Sequence, residues 1–432
     1  MARVLLRAAR VVDPALQRDQ RADVLVEDSL IGEIGLGLDG GRAETIDCDG
    51  LVVAPGLVDL HTHLREPGRE EAETVETGGR AAVMGGFTAV CAMPNTDPVA
   101  DHLAVVLEVA ARGEKAGLCE VVPAGAITRG LQGESLVEMG ELSDAGVRLF
   151  TDDHNCVQSA RAMRVALEYA RTFDGIVCQH PQDGSLSEEW QMHEGHYSAL
   201  LGLRGAPAEA ESIVVARDLA LSRLTGGRLH VTHVSAAQTV ELLRDAKARG
   251  IRVTADVTPH HLTFSDEDLQ SYDTNLKVNP PLRSAEDRDA LRGGLADGVL
   301  DAVATDHAPH AEEDKEVEFD QARPGTAGLE TALGVVLTEL VEPGIIDLAA
   351  AIERLSTSPA RILGLADQGG PIEPGRPANL VAFDPSAEWT VGERPFASKG
   401  RNSAFLGRRL RGRVAHTLFR GEPVVRDGEA TR

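Results

Sequence analysis

The chain has 432 residues, with 43 Lys and Arg against 68 Asp and Glu, which gives a formal charge of −25. Hydrophobic residues make up 42% of the chain and charged residues 26%, which excludes a disordered or collagen-like protein. The strong acidity argues against nucleic acid as the main partner, because phosphate is bound by basic surfaces. No stretch approaches the ~18 consecutive apolar residues of a membrane span, and no signal peptide is evident, so we expect a cytoplasmic protein without a membrane partner.

The sequence pattern at both ends of the chain predicts short β-strands. Residues 1–54 and residues 366–432 consist of short apolar runs, such as Val24-Leu25-Val26, separated by turn residues. Neither end is long enough to form a stable core alone. We therefore predict one small β-sandwich domain built from both termini.

Between these ends, short apolar runs alternate with segments of helical length. The runs predicted as strands are 51–60, 87–94, 119–127, 147–151, 175–179, 228–234, 251–258 and 300–305. The predicted helices are 70–84, 103–116, 160–172, 208–224, 237–249 and 285–295. Near-continuous apolar strands that alternate with helices indicate a parallel sheet buried on both faces. Eight such units predict a TIM-like (β/α)8 barrel over residues 55–365.

In such a barrel, catalytic groups lie at the C-terminal ends of the strands. Polar side chains that could bind a metal or a substrate follow seven of the eight runs. The main candidates are His61 and His63 after the first run, Asn95 after the second, Asp153 after the fourth, His180 after the fifth, His233 in the sixth, and Asp306 and His310 after the eighth. Histidines with only structural roles would not gather at one end of the barrel in this way.

A metal centre explains this pattern best. His61 and His63 are two residues apart in an extended segment, so both imidazoles point to the same face. Without His310, the candidates include four histidines and two aspartates, too many for one tetrahedral zinc site and suited to two divalent ions. A carboxylate is the usual bridging group, and Asp153 is the candidate. Zn²⁺ suits these ligands, Mn²⁺ or Co²⁺ also fits, and a two-metal site predicts a hydrolase.

These motifs resemble those of the amidohydrolase superfamily and, more closely, of dihydroorotases of the bacterial class I type. The matching segments include DLHTHLREPG (59–68), FTAVCAMPNTDP (87–98), LFTDD (149–153), HVTHVSAAQT (230–239), KVNPPLR (277–283) and ATDHAPH (304–310). They cover the predicted barrel almost from end to end. The resemblance implies a small-molecule substrate: interconversion of dihydroorotate and N-carbamoyl-L-aspartate in pyrimidine biosynthesis.

The resemblance also implies a role for each candidate. One ion would be bound by His61, His63 and Asp306 and the other by His180 and His233, with Asp153 shared. Asp306 would also act as the general acid and base. The residues implied in substrate binding are His63, Arg65, Asn95, Asn279, His310, Pro324 and Gly325. Arg65 can bind the carboxylate of the substrate through two parallel hydrogen bonds.

The sequence departs from the family pattern at several positions. The segment that begins at His180 reads His-Pro-Gln, whereas relatives often have His-Cys-Glu. His154 stands where glycine is common, and His193 replaces a frequent asparagine. None of these changes removes a proposed metal ligand.

Two alternative functions share part of this pattern. Hydantoinases, dihydropyrimidinases and allantoinases share the superfamily, but they typically bridge their metals with a carboxylated lysine after the fourth strand, where this chain has Asp153. The other alternative is an inactive scaffold partner of aspartate transcarbamoylase. The presence of His61, His63 and Asp306 argues against it. A homodimer, and an active enzyme in complex with aspartate transcarbamoylase, stay open at this point.

Overall fold

The computed structural model describes residues 3–432. Five strands precede the barrel: β1 (Arg3–Asp13), β2 (Arg18–Glu27), β3 (Leu30–Gly35), β4 (Glu44–Asp47) and β5 (Val52–Pro55). The central strands are β6 (Leu57–Thr62), β7 (Phe87–Ala92), β8 (Glu120–Pro123), β9 (Leu149–Thr151), β10 (Ile176–Gln179), β11 (Met192–His193), β12 (Gly205–Ala206), β13 (Arg228–Val231), β14 (Val253–Val257) and β15 (Ala302–Val303). The last strands are β16 (Leu380–Thr390), β17 (Arg409–Phe419), β18 (Glu422–Arg426) and β19 (Glu429–Ala430).

The helices fall mainly between the central strands. They are α1 (Val75–Met84), α2 (Leu103–Ala116), α3 (Met139–Asp144), α4 (Ala160–Ala170), α5 (His196–Leu201), α6 (Glu209–Thr225), α7 (Ala237–Ala248), α8 (Pro259–Thr263), α9 (Ala285–Ala296), α10 (Glu312–Lys315), α11 (Ala332–Val336), α12 (Leu348–Ile352) and α13 (Ser358–Leu363). Within residues 3–432, no helix combines the length and the apolar character needed to cross a membrane.

Eight parallel strands form the predicted barrel. One sheet has the order β6-β7-β8 and another the order β15-β14-β13-β10-β9. Parallel bridges join them at both seams, Gly125 with Phe150 and Thr62 with His307. Strands β6, β7, β9 and β10 are buried along their whole length, which explains their near-continuous apolar sequences. The prediction of an α/β barrel is confirmed.

Both termini contribute to a second sheet, so the predicted composite β domain is also confirmed. Its strand order is β19-β18-β17-β16-β5-β1-β2-β3, with β4 paired to β1. The junction between the two ends of the chain is antiparallel, with Val53 opposite Ala382. The domain limits of 1–54 with 366–432, and of 55–365, stay predictions.

The first apolar run differs from its prediction. Residues 51–60 contain two strands, because β5 belongs to the terminal sheet and β6 to the barrel. Gly56 separates them, and a side chain at this position would collide with Thr88. The predicted helix 70–84 also starts later, at Val75, where Thr74 and Thr77 form a capping box.

Candidate metal centre and substrate cavity

Six predicted metal ligands converge at one mouth of the barrel. Each lies at or just beyond the C-terminal end of its strand: His61 and His63 at β6, Asp153 after β9, His180 after β10, His233 after β13 and Asp306 after β15. None of these side chains belongs to a residue that is more than 6% exposed. Burying so many ionisable groups together is costly unless they pair with one another or bind a cation.

Asp153 lies between two pairs of histidines. Its Oδ2 atom is 3.2 Å from Nε2 of His61 and 3.6 Å from Nε2 of His63. Its Oδ1 atom is 3.3 Å from Nδ1 of His180 and 3.5 Å from Nε2 of His233. Each carboxylate oxygen therefore faces one histidine pair, an arrangement suited to a bridging ligand.

Asp306 completes the His61 and His63 side of the cluster. Its Oδ1 atom lies 3.5 Å from Nε2 of His61 and 3.3 Å from Nε2 of His63. The ligand atoms of these three residues all lie within 4.8 Å of one another, and so do those of His61, Asp153 and His233. His61 thus belongs to both groups, whereas the resemblance assigned it to one ion only.

The outer ring nitrogens of His61 and His63 are held by hydrogen bonds. Nδ1 of His63 lies 3.0 Å from Oδ1 of Asn95, which can only accept, so the proton is on Nδ1. Nδ1 of His61 lies 2.9 Å from the hydroxyl of Thr232, which itself donates to Asp256 at 3.2 Å. Both Nε2 atoms consequently face the carboxylates, where they can bind a metal ion in place of a proton.

His180 and His233 form the other side of the cluster. Nε2 of His180 lies 2.8 Å from Oε1 of Gln182, so its Nδ1 carries the lone pair. That Nδ1 is 2.8 Å from Nε2 of His233, whereas Nδ1 of His233 is buried without a hydrogen-bond partner among residues 3–432. Two ring nitrogens this close, both facing Asp153, need a shared proton or a cation between them.

Three residues of the site have a left-handed backbone. His233 has φ 39°, Asp306 has φ 46° and Arg65 has φ 60°. This region is unfavourable for residues other than glycine, and such strain concentrates at functional sites. At His233 the strained conformation is held by the backbone N–H, which donates to Asp256 at 2.6 Å.

The charges of the cluster favour ionised carboxylates. Burial opposes ionisation of Asp153, but His61 and hydrogen bonds from His180 and His233 hold its pKa well below the ordinary value. Burial likewise opposes ionisation of Asp306, and His61 and His63 lower its pKa. Burial and the nearby Arg65 lower the pKa of His63 to about 4, which leaves that imidazole neutral. The pKa of His61 rises to about 10 despite burial, because Asp153 and Asp306 attract a positive charge there.

The donor set fits divalent metal ions. Imidazole nitrogens and carboxylate oxygens face one another, three of the four outer ring nitrogens are tied to neighbouring side chains, and the region attracts positive charge. Zinc, manganese and cobalt all accept such ligands. The structure thus brings together all six residues that the sequence predicted as ligands.

A cavity of about 150 Å³ opens beside the cluster. Its lining consists of His63, Arg65, Arg69, Asn95, Asp153, His154, His180, His233, Asn279, Asp306, Ala308, His310, Arg323, Pro324 and Gly325. All residues predicted to bind substrate are in this lining. Three arginines on the wall make that part of the cavity suitable for an anion.

Some polar groups of the cavity form hydrogen bonds with the protein, and others are buried without one. Arg65 donates its Nε–H to the carbonyl oxygen of Pro309 at 3.2 Å. Burial and Arg69 lower the pKa of Arg65 to about 10, so it stays charged at neutral pH. Oδ1 of Asn279 and Nδ1 of His310 are buried without hydrogen-bond partners in the described chain. Buried polar atoms without partners are rare, and here a bound substrate could satisfy them.

Sequence reasoning missed the residues that support the ligands. Asp256 holds three groups at once: the backbone N–H of His233, the hydroxyl of Thr232, and His230 at 2.8 Å. Gln182 belongs to the segment that departs from the family pattern, and its sequence position alone does not predict a contact with His180. His154, another such departure, lies with Nδ1 3.1 Å from Nδ2 of Asn95. The run DVTPHHL contains Asp256, but nothing in its spacing indicates a contact with the strand before it.

Known proteins were compared with the chain. The family model described as Dihydro-orotase-like matches residues 50–239. The dihydroorotase of Pelotomaculum thermopropionicum is 49% identical over 425 residues, which cover 98% of this chain and 99% of that protein. The chain belongs to the dihydroorotase family. The dihydroorotase of Streptomyces coelicolor is 49% identical with 100% of both chains covered, and that of Mycobacterium tuberculosis is 51% identical over 95% of this chain and 96% of its own.

Solved structures extend the comparison to the fold. L-Hydantoinase from Arthrobacter aurescens superposes with a TM-score of 0.90 at 26% identity, covering 100% of this chain and 98% of that one. The architecture is therefore shared between dihydroorotases and hydantoinases. Sequence identity separates the two groups, because the dihydroorotase relatives are about twice as similar to this chain.

Proposed function

We propose that the chain catalyses the reversible hydrolysis of (S)-dihydroorotate to N-carbamoyl-L-aspartate, the reaction that closes the pyrimidine ring in the biosynthetic direction. The observation that carries the proposal is the position of Arg65, in one cavity with Asp153 and Asp306. Hydantoin, dihydrouracil and allantoin carry no carboxylate for this guanidinium. Dihydroorotate carries one, and its cyclic amide can then face the cluster.

We assign each contact with the substrate to a side chain of the cavity. Arg65 binds the substrate carboxylate, aided by the amide of Asn95. His310 donates Nε2–H to the carbonyl oxygen of Pro324 at 2.9 Å, and its Nδ1 is the buried atom without a partner. Burial and the charge of Arg65 hold the pKa of His310 well below its usual value, so the neutral ring offers Nδ1 as an acceptor to an N–H of the substrate. Asn279 offers its free Oδ1 to an N–H of the ring.

The proposed ligands are His61, His63 and Asp306 for one ion and His180 and His233 for the other, with Asp153 shared. The proposed ions are two Zn²⁺ per chain, and Mn²⁺ or Co²⁺ would suit the same donors. When bound, such a pair activates water and polarises the amide carbonyl.

Asp306 moves the proton. Its carboxylate is ionised, since its pKa is lowered, and it lies at the edge of both the cluster and the cavity. It accepts the proton of the attacking water and delivers it to the ring nitrogen as the carbon–nitrogen bond breaks. In the direction of ring closure the same carboxyl group protonates the oxygen that leaves.

The test is an ultraviolet assay of the purified protein with dihydroorotate, run beside dihydrouracil, hydantoin and allantoin, with the metal content measured on the same sample. Turnover of dihydroorotate alone supports the proposal, and turnover of the uncharged rings instead rejects it. Arg65→Met should raise the apparent KM for dihydroorotate. Arg161→Met is the matched control, because Arg161 is exposed on α4, outside the cavity.

Location and assembly are also proposals. We propose a cytoplasmic location, and a homodimer and a complex with aspartate transcarbamoylase are the two assemblies to be tested. Light scattering on the protein alone, and on a mixture with the transcarbamoylase, gives the mass of each species. A monomer in the first sample rejects the dimer, and separate species in the second reject the complex.

A further inference from the structure

Residues 319–325 form a loop on the cavity wall, called here the 319–325 loop. Pro324 and Gly325, at its end, are two of the residues implied in substrate binding. Gly325 has φ 138°, and a Cβ atom there would lie 2.9 Å from Nε2 of His310. The backbone thus approaches the imidazole as closely as only glycine allows, and the position of the loop sets the shape of this wall.

Lys315 forms hydrogen bonds with the C-terminal half of the loop. This residue ends the short helix α10 and is only 6% exposed. Its Nζ donates to the carbonyl oxygen of Arg323 at 2.8 Å and to that of Gly325 at 3.0 Å. The carbonyl of Pro324, between them, points instead to His310.

Lys277 holds the N-terminal half in the same way and is 5% exposed. Its Nζ donates to the carbonyl oxygens of Phe319 at 2.7 Å and Asp320 at 3.1 Å, and to Oε1 of Gln191 at 2.6 Å. Its own carbonyl oxygen accepts the N–H of Gly325 at 2.8 Å. One lysine therefore contacts both ends of the loop.

Neither amine forms an ion pair. Among residues 3–432, no carboxylate oxygen lies within 4.0 Å of either Nζ atom, whereas Lys247 pairs directly with Asp301. The charges that act from further away are Asp320 on Lys277, and Asp273, Asp314 and the other lysine on Lys315. Burying a lysine amine without a counter-ion costs free energy, so backbone carbonyls must compensate for it.

We propose that Lys277 and Lys315 are positioning residues that hold the 319–325 loop in the conformation that binds substrate. The amines act through the loop and touch neither the ligand cluster nor the reacting atoms. The inference rests on the proposed function, because it assigns the loop to the binding of dihydroorotate. In this proposal, two side chains outside the cavity lining fix the position of the loop.

Each lysine has enough N–H donors for the oxygen atoms around its Nζ. Lys277 has three acceptors and uses all three N–H groups of an ammonium ion. Lys315 has two acceptors, which either an ammonium ion or a neutral amine can satisfy. Replacing either lysine with methionine keeps most of the apolar stem and leaves buried carbonyl oxygens without donors.

The test compares Lys315→Met and Lys277→Met with Lys247→Met. Lys247 is a suitable control because its Nζ binds Asp301 and the carbonyl oxygen of Gly298 just before β15, at the opposite end of the barrel. We expect the first two variants to raise KM for dihydroorotate about tenfold with kcat changed less than about twofold. We also expect faster deuterium uptake in peptides that cover residues 319–325. Lys315→Arg, which retains donors, should recover part of the affinity and also serves if the methionine variant does not fold.

An unchanged KM together with unchanged deuterium uptake in both methionine variants would overturn the proposal. A fall in kcat at unchanged KM would overturn it as well, because the loop would then not act in binding. Failure of the unmodified protein to convert dihydroorotate would instead reject the proposed function. In that case deuterium uptake alone still decides whether the lysines hold the loop.

Discussion

Nε2 of His180 lies 2.8 Å from the amide oxygen of Gln182, two residues further along the chain. The imidazole therefore donates to a neutral group, which polarises it less than a carboxylate would. His233, on the same side of the cluster, has no partner for its Nδ1 among residues 3–432. On the other side, His61 is connected through Thr232 to the carboxylate of Asp256. The histidines of the His180 and His233 side therefore have weaker hydrogen-bond partners than His61 on the other side.

Gln182→Glu should strengthen metal binding on the weaker side. A carboxylate at this position would accept the same N–H and make Nδ1 of His180 a better ligand. We expect the release of metal to a chelator to slow about tenfold or more, measured by metal analysis over time. Gln270→Glu adds the same charge at an exposed position and should release metal at the original rate. Equal rates for both variants would show that Gln182 does not tune the site.

Asp306→Asn tests the proton transfer. An amide cannot accept the proton of water and return it, so kcat should fall by about 10²-fold or more. Because Asp306 also faces His61 and His63, the metal content must be measured on the same sample. Asp289→Asn, at an exposed position on α9, is the control. Near-normal turnover of the Asp306 variant with metal bound would remove this residue from the acid–base role.

Asp256→Asn should disturb both the fold and the metal centre. The substitution breaks a buried pair with His230 and weakens the support of Thr232 and His233. Losing buried hydrogen bonds to a carboxylate costs about 1.5–3 kcal/mol in the free energy of unfolding. Urea unfolding measures this loss, and metal analysis measures the loss of bound ions.

The matched control for Asp256→Asn is Asp245→Asn. Asp245 forms an exposed pair with Arg249 on the surface of α7. Exposed pairs contribute little, so this variant should keep its metal and lose less than about 1 kcal/mol. The same small loss at both positions would mean that the Asp256 carboxylate is not needed.

Lys315 should make stability depend on pH in a defined direction. Burial and Lys277 lower the pKa of Lys315 in the folded protein to about 7, whereas a lysine in the unfolded chain has a pKa near ~10.4. Between these values the unfolded chain binds more protons, so this group makes the free energy of unfolding rise with pH. The Tm of the unmodified protein minus the Tm of Lys315→Met should therefore become more positive between about pH 6 and pH 9. A difference that stays constant would contradict the lowered pKa.

The barrel was predictable because its strands are buried on both faces. The apolar run 87–94 includes β7, six other runs also each contain a barrel strand, and run 51–60 contains most of β6. Run 51–60 was ambiguous, since an apolar sequence does not reveal that Gly56 divides it between two sheets. The short helices α3, α5, α8 and α10 escaped prediction because segments of four to six residues show no helical periodicity. Helices α11 to α13 were not predicted either; they are continued by π-helical turns at Leu337–Val341 and Glu353–Thr357.

The ligands were predictable for a related reason: each follows a strand whose end the apolar pattern marks. The supporting contacts were not, because their partners are far apart in sequence. Lys277 reaches Phe319 across 42 residues, and Asp256 reaches His233 across 23. No local pattern distinguishes such a lysine or aspartate from one that lies on the surface.

The pairing of β5 with β16 has a consequence for how the chain is made. Val53 and Ala382 are neighbours in the sheet, so the N-terminal strands leave the ribosome more than 300 residues before their partner. Until then one edge of β5 stays open, and an open edge is a template for pairing with another chain. The acidic composition of the chain opposes such encounters by electrostatic repulsion. A chain whose synthesis stops before β16 contains all the proposed metal ligands but exposes the unpaired edge of β5.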